Sequence, residues 1–216
     1  MHRQKGPAGE LRQFAFGDAA VEAWTAHGAG DPGEPWLSFD RARRQVQAGH
    51  QDEAAAIWRQ IATTDGLESR HTLQAWHFLR QTGQSPPPDR ATLVLGTAVE
   101  MPVPQGHDLL IAYRDGSARY LNYSGKVLVW EARSDPEVGA AITAWLSAGQ
   151  VISDAIGVWD RPSLPPVPPG HARLLMLTPG GHRFGQAPAA ALSSDPTAGP
   201  FIAAATRVLQ LITSRA

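Results

Sequence analysis

The chain contains no cysteine, which rules out disulfides, thiolate metal sites and cysteine nucleophiles and leaves the redox compartment unmarked. Net charge is almost absent as well: 19 Lys and Arg stand against 20 Asp and Glu, a formal charge of −1. Without a bulk field to gather polyanions, neither nucleic acid nor a membrane surface is an expected partner. The nearest basic patch, Arg41, Arg43 and Arg44, reads as a solvated helix face. No apolar run approaches the length of a membrane span, and the opening "MHRQKGPAGELRQF" lacks the apolar core of a signal peptide, so a cytoplasmic location is expected. Asparagine occurs once, at Asn122, and arginine far outnumbers lysine; with plentiful Ala, Gly and Pro, this bias suits a GC-rich bacterial genome.

Catalytic signatures are missing too. There is no HExxH, no GxSxG and no paired-carboxylate motif. "SGKV" at 124–127 fails as a phosphate loop, because Tyr120 stands where a glycine is needed and Val127 where a magnesium-holding hydroxyl is needed. Glu68 and His71 have the spacing of a helical metal pair, but no second copy exists to complete a bundle site. Neither a metal nor a cofactor is expected.

What is present is ordinary globular material, with 43% hydrophobic and 18% charged residues and seven Trp as packing anchors. Residues 1–35 are the least legible; "DAAVEAWTAHG" predicts a short helix capped by Asp18 and stopped at Gly28. Between 36 and 85 the spacing predicts three amphipathic helices, at about 37–48, 51–63 and 68–82. Gly49, Ala54, Trp58 and Ile61 fall where a tetratricopeptide repeat places its turn and second helix. The segment 37–82 resembles about one and a half such repeats. Stacked repeats need about three units to bury their faces, so this piece is expected to pack on the rest of the protein.

"GQSPPPD" at 83–89 marks the boundary to a third segment, 90–216, where the period becomes strand-like. The expected order is four strands, a helix capped by Asp135, two strands around Pro179-Gly180-Gly181, and a terminal apolar helix. The whole is an α+β fold: a short helical segment, then a mainly antiparallel sheet in the order ββββ-α-ββ-α.

Asp115-Gly116 and Ser124-Gly125 read as two-residue hairpin turns. That register sets Ile111 opposite Tyr120, Ala112 opposite Arg119, Leu109 opposite Asn122, Arg119 opposite Trp130 and Asn122 opposite Val127. Leu109, Ile111, Tyr113, Tyr120, Asn122, Val127 and Val129 then share one face. Leu110, Ala112, Arg119, Leu121, Leu128 and Trp130 share the other. Both faces are apolar enough to require covering, one by the C-terminal helices and the other by the N-terminal helices or a partner chain. Within those faces Arg119 is expected to stack on Trp130 with Glu100 or Asp108 nearby, and Asn122 to bind loop backbone. Tyr113, Arg119, Tyr120, Asn122 and Trp130 form the candidate binding patch, since aromatic and Arg side chains anchor interfaces.

The stretches "LESRHTLQAWHFLRQTG", "AYRDGSARYLNYSGKVLVWE" and "LTPGGHRFGQ" together resemble an uncharacterised bacterial family of hypothetical proteins. The resemblance implies no catalytic residue and no ligand. The expected function is a non-enzymatic interaction or adaptor module that binds another protein or itself. The alternatives are a small-molecule or nucleotide sensing domain built on Tyr120, Arg119 and Asn122, and a hydrolase using His107, Asp108 and His182.

Overall fold

The computed structural model describes residues 7–24, 33–131, 135–161 and 163–215, with the side chains of 7–10 left out. Contacts divide the chain into two compact units, Met1–Ala91 and Thr92–Ala216.

The first unit is helical: α1 (Pro7–Phe16), α2 (Trp36–Gln47), α3 (Gln51–Thr63), α4 (Ser69–Gln81) and the single turn α5 (Pro88–Ala91). The three amphipathic helices fall within a residue or so of their expected bounds. At the end of α2, the His50 N–H reaches the Gln45 carbonyl and the Gly49 N–H reaches that of Val46, which satisfies carbonyls the helix leaves open. The core is aromatic: Trp24 stacks between Phe14 and Trp36 at 5.2 and 5.3 Å, and Trp58 packs on Phe78 at 4.9 Å. His71 lies edge-on to Trp24 and Trp36, and Glu68 accepts from the Arg70 Nε at 2.7 Å, so that pair is occupied by helix packing.

The helix expected from Asp18 is absent over 18–24, and its remainder lies outside the described residues. The reason is a competing claim on the backbone. Gln74 on α4 accepts from the Ala19 N–H at 3.0 Å and donates to the Ala19 carbonyl at 2.9 Å. That clamp holds the backbone at Ala19 out of a helix; the chain then turns, with the Ala23 and Trp24 N–H groups donating to the Ala20 carbonyl at 3.0 and 3.1 Å, and Trp24 enters the core.

Asp18 itself is a titration site. Its Oδ1 is sealed from solvent, and burial pushes its carboxyl from 3.8 up to about 6 against the pull of His77, Arg12 and Arg80. Because the folded protein then holds this proton at a pH where the unfolded chain has released it, stability should fall as pH rises from about 4 to 6. Comparing thermal melts of the wild type and Asp18→Asn across pH 3.5–7.5 should show a difference that changes by on the order of 3 kcal/mol within that window and is flat above it. A difference constant with pH would mean that Asp18 titrates normally.

The second unit is a six-stranded antiparallel sheet in the order β4-β3-β2-β1-β5-β6. Its strands are β1 (Gly96–Val103), β2 (Gly106–Tyr113), β3 (Ala118–Leu121), β4 (Val127–Trp130), β5 (His171–Thr178) and β6 (Gly181–Pro188). The helices are α6 (Pro136–Ala155), the short α7 (Ala189–Ser194) and α8 (Ala198–Ser214). This is the expected α+β fold, with α7 the element of this unit that the sequence pattern did not reveal, as α1 and α5 are in the first. β1 begins later than the apolar run suggested and extends through Pro102, because the chain reverses only at Pro104-Gln105.

α6 starts as its sequence dictates: Asp135 accepts from the Glu137 and Val138 N–H groups at 2.9 and 3.1 Å, and Pro136 takes the first helical position. Its buried stripe, Val138, Ile142, Trp145 and Ile152, joins Phe201, Val208 and Ile212 of α8 over Val99, Leu110, Ala112, Leu174 and Met176. One sheet face is therefore the floor of the core, roofed by α6 and α8. No helix among the described residues is long and apolar enough to cross a membrane.

Candidate interaction site

The β2–β3–β4 hairpins turn by a different chemistry from the one their dipeptides suggested. Gly116 donates to the Tyr113 carbonyl at 3.0 Å while the Tyr113 N–H reaches the Ser117 carbonyl at 2.9 Å. Gly125 and Asn122 repeat the pattern, with Asn122 N–H to the Lys126 carbonyl at 3.0 Å. Each loop thus holds three residues, a type I turn closed by a glycine with φ of +87° at Gly116 and +86° at Gly125.

One extra residue per turn slips the register by one. Leu110 faces Tyr120, Ile111 faces Arg119, Ala118 faces Trp130 and Leu121 faces Val127. The expected pairs Ile111–Tyr120, Ala112–Arg119, Arg119–Trp130 and Asn122–Val127 are replaced, and every β3 side chain changes face relative to β2.

The five candidate residues, already divided between two faces in the expected register, do not form one surface, and the slip exchanges Tyr120 and Arg119 between those faces. Tyr113 is fully buried, with the Arg119 guanidinium 5.4 Å from its ring, on the sheet face away from α6 and α8. Arg119 stacks there rather than on Trp130, and its carboxylate is Glu131 at 4.0 Å rather than Glu100 or Asp108. Tyr120 and half-buried Trp130 lie on the opposite face, packed against the helix-roofed core. The Tyr120 hydroxyl donates to Asp108, whose other oxygen accepts from the Tyr123 N–H at 2.8 Å. Burial first and the Asp108 carboxylate second push the Tyr120 phenol up to about 12, so it stays a hydrogen-bond donor. Asn122 binds loop backbone as expected, its Oδ1 accepting from the Ser124 and Lys126 N–H groups at 3.0 Å each.

His107, Asp108 and His182 are not gathered either. His107 is opposite Pro102, whereas His182 is opposite Leu177, which faces Gly96. Those two rows lie six residues apart along β1, about 20 Å at strand rise, so the two histidines occupy opposite ends of the sheet.

A different surface is exposed. β4 is an outer strand, and its outward residues are Val127 and Val129, 42% and 49% exposed, beside Tyr123 at 49%. Three of the seven large hydrophobic side chains left strongly exposed among the described residues thus fall within one hairpin. Asn122 and Lys126 form a hydrogen-bonded pair, so by antiparallel alternation Leu128 and Trp130 bond to β3. The N–H and C=O groups of Val127 and Val129 then point away from the sheet, where no described strand meets them.

The other edge is guarded. The Trp159 N–H donates to the His182 carbonyl at 2.8 Å, the Trp159 ring packs edge-on against Phe184 at 5.0 Å, and Pro188 ends β6. A covered edge ending in proline is a common protection against strand pairing, and among the described residues no strand pairs with the outer edge of β4. The sequence signal for this edge was "VLVW" bracketed by Lys126 and Glu131, but it needed the strand order and the turn type to be read.

Searches against family models, curated proteins and solved structures find no match.

Proposed function

We propose that the protein is a cytoplasmic, non-enzymatic interaction module whose docking element is the β3–β4 hairpin, which takes an added strand along β4. The observation that carries this reading is the combination of a backbone edge that no described strand meets with Val127, Val129 and Tyr123 exposed beside it. In strand addition the main chain supplies affinity through hydrogen bonds, and alternate side chains supply selectivity. Outward Val127 and Val129 offer both on four residues of strand. The buried polar groups elsewhere in the sheet are engaged in packing: Tyr120 with Asp108, and Arg119 with Tyr113 and Glu131.

The test compares the wild type with Val127→Lys/Val129→Lys, two substitutions at solvent-facing positions that should shift the melting temperature by no more than a few degrees. Chains associated with the wild type are captured from native extract, identified, and then titrated as purified components. The variant should lose at least about tenfold in affinity, the weight of roughly 1.4 kcal/mol of strand-edge contact. Equal binding by both proteins would remove the hairpin as the docking element. The absence of any associating chain, a second copy included, would remove the reading altogether.

A further inference from the structure

We infer that the proline-rich segment before β5, residues 163–169, is a preformed polyproline II ligand whose outward ridge, Pro166 and Pro169, docks in an aromatic-lined groove of another protein. This surface is separate from the β4 edge and does not depend on the strand-addition reading.

The sequence dictates the conformation. In "LPPVPP" at 164–169 every residue is a proline or precedes one. Proline fixes its own φ and pushes the residue ahead of it out of the helical region, so the whole run is confined to extended backbone with three residues per turn. Burial follows that period: Ser163, Pro166 and Pro169 are exposed, while Leu164, Pro165, Val167 and Pro168 are half-buried. One edge of the three faces solvent and the other two turn inward.

The segment is held through its carbonyls. The Trp159 indole donates to the Ser163 carbonyl at 3.0 Å, the Arg173 guanidinium to that of Pro165, and the His171 N–H to that of Pro168 at 3.1 Å. These bonds order the ridge before any partner arrives, which removes much of the entropy loss that a free proline-rich chain would suffer on binding.

The groups left over decide the partner. Among the described residues nothing donates to the carbonyls of Leu164, Pro166 and Val167. The segment has little to donate in return, because Pro165, Pro166, Pro168 and Pro169 carry no N–H. An added β-strand needs donors and acceptors in alternation, so strand pairing is excluded here. A helix is excluded as well, since its backbone N–H groups are bonded internally. The surface that fits offers flat rings to pack on the pyrrolidine rings and indole or phenol donors for the carbonyls, the chemistry of grooves that read polyproline II. The bond from the Trp159 indole is the same kind of contact, made from within the fold.

The test titrates the full-length chain, up to about 1 mM, into two isotope-labelled probes with aromatic grooves, a WW domain and an SH3 domain. The groove tryptophan indole signals of at least one probe should shift saturably. Pro166→Ala/Pro169→Ala should weaken that binding at least about tenfold, and Val127→Lys/Val129→Lys should leave it unchanged. Both prolines are exposed, so the double variant should melt within a few degrees of the wild type. Pro166→Lys, a single change on the ridge, is the second variant and should weaken binding in the same direction. If neither probe shifts, or if both proline variants bind as the wild type does, the inference is overturned and the segment is only a stiff connection. Binding lost on Val127→Lys/Val129→Lys, with the proline variants unaffected, would overturn it too and assign the contact to β4.

Discussion

Arg173→Ala is expected to destabilise the sheet unit by about 3–5 kcal/mol, the range for breaking a buried ion pair from one side. The Arg173 side chain is 1% exposed, and its Nη1 donates to Glu100 at 3.1 Å across the β1–β5 register pair. Its Nε and Nη2 donate to the Gln186 Oε1 on β6 at 3.2 and 2.8 Å, and Nη2 also donates to the Pro165 carbonyl. The guanidinium lies 5.0 Å from the Phe184 ring. One side chain thus ties three adjacent strands to the Pro-rich segment before β5. Removing it leaves the Glu100 carboxylate, itself 9% exposed, in a site built around a cation.

Urea melts should show the lower midpoint with an unchanged slope, since the same surface unfolds. Glu100→Gln should lose a similar amount by stranding the guanidinium instead. Arg173→Met/Glu100→Leu, which removes both charges and fills the space, should lose far less than the sum of the single changes. Additive losses would mean that the two groups act independently, and a loss under about 1 kcal/mol for Arg173→Ala would mean that water reaches the guanidinium.

Arg173 also illustrates what could not be read in advance. Its carboxylate lies 73 residues away on β1, and its amide partner lies on β6, so no local spacing connects them. The features that were legible have local causes. The start of α6 follows from Asp135-Pro136-Glu137, and α2 to α4 follow from apolar stripes at helical spacing.

The register of β2 to β4 failed for an equally local reason. Asp115-Gly116 and Ser124-Gly125 suit a two-residue turn and a three-residue turn with the glycine in the left-handed region alike. Alternation could not arbitrate, because Leu109, Leu110, Ile111 and Ala112 are all buried and a strand covered on both faces carries no parity. The candidate patch spanned both faces already in the expected register, which set Tyr113, Tyr120 and Asn122 on one and Arg119 and Trp130 on the other; the slip exchanged Tyr120 and Arg119 and left Val127 and Val129 on the face of Tyr113. Asp18 failed differently: a good cap residue was overridden by the Gln74 side chain, a tertiary contact that no capping rule includes.

Gly149→Val should destabilise the same unit by at least about 3 kcal/mol, at the upper end of the overpacking range, although both glycine positions in α6 look alike in sequence. A Cβ at 149 would lie 2.5 Å from Thr97 Cγ2, 3.4 Å from Phe201 Cε2 and 3.5 Å from Met176 Cγ. Thr97 is fully buried on β1 and β-branched, so its γ-methyl cannot swing clear without an off-rotamer χ1. The helix would have to rise from the sheet, loosening Trp145 and Ile142 on its buried face.

Gly139, in the same helix, has nothing within 4 Å of a Cβ, and Gly139→Ala should stabilise by about 0.5–1 kcal/mol through helix propensity alone. Thr97→Ala should partly rescue Gly149→Ala, since it removes the clashing methyl and a hydroxyl that has no hydrogen-bond partner. Matching signs at 139 and 149 in denaturant melts, or a Thr97→Ala change that simply adds to Gly149→Ala, would mean that α6 does not approach β1 at this glycine. Opposite signs with rescue would locate the closest helix–sheet approach at a residue whose only contribution is the absence of a side chain.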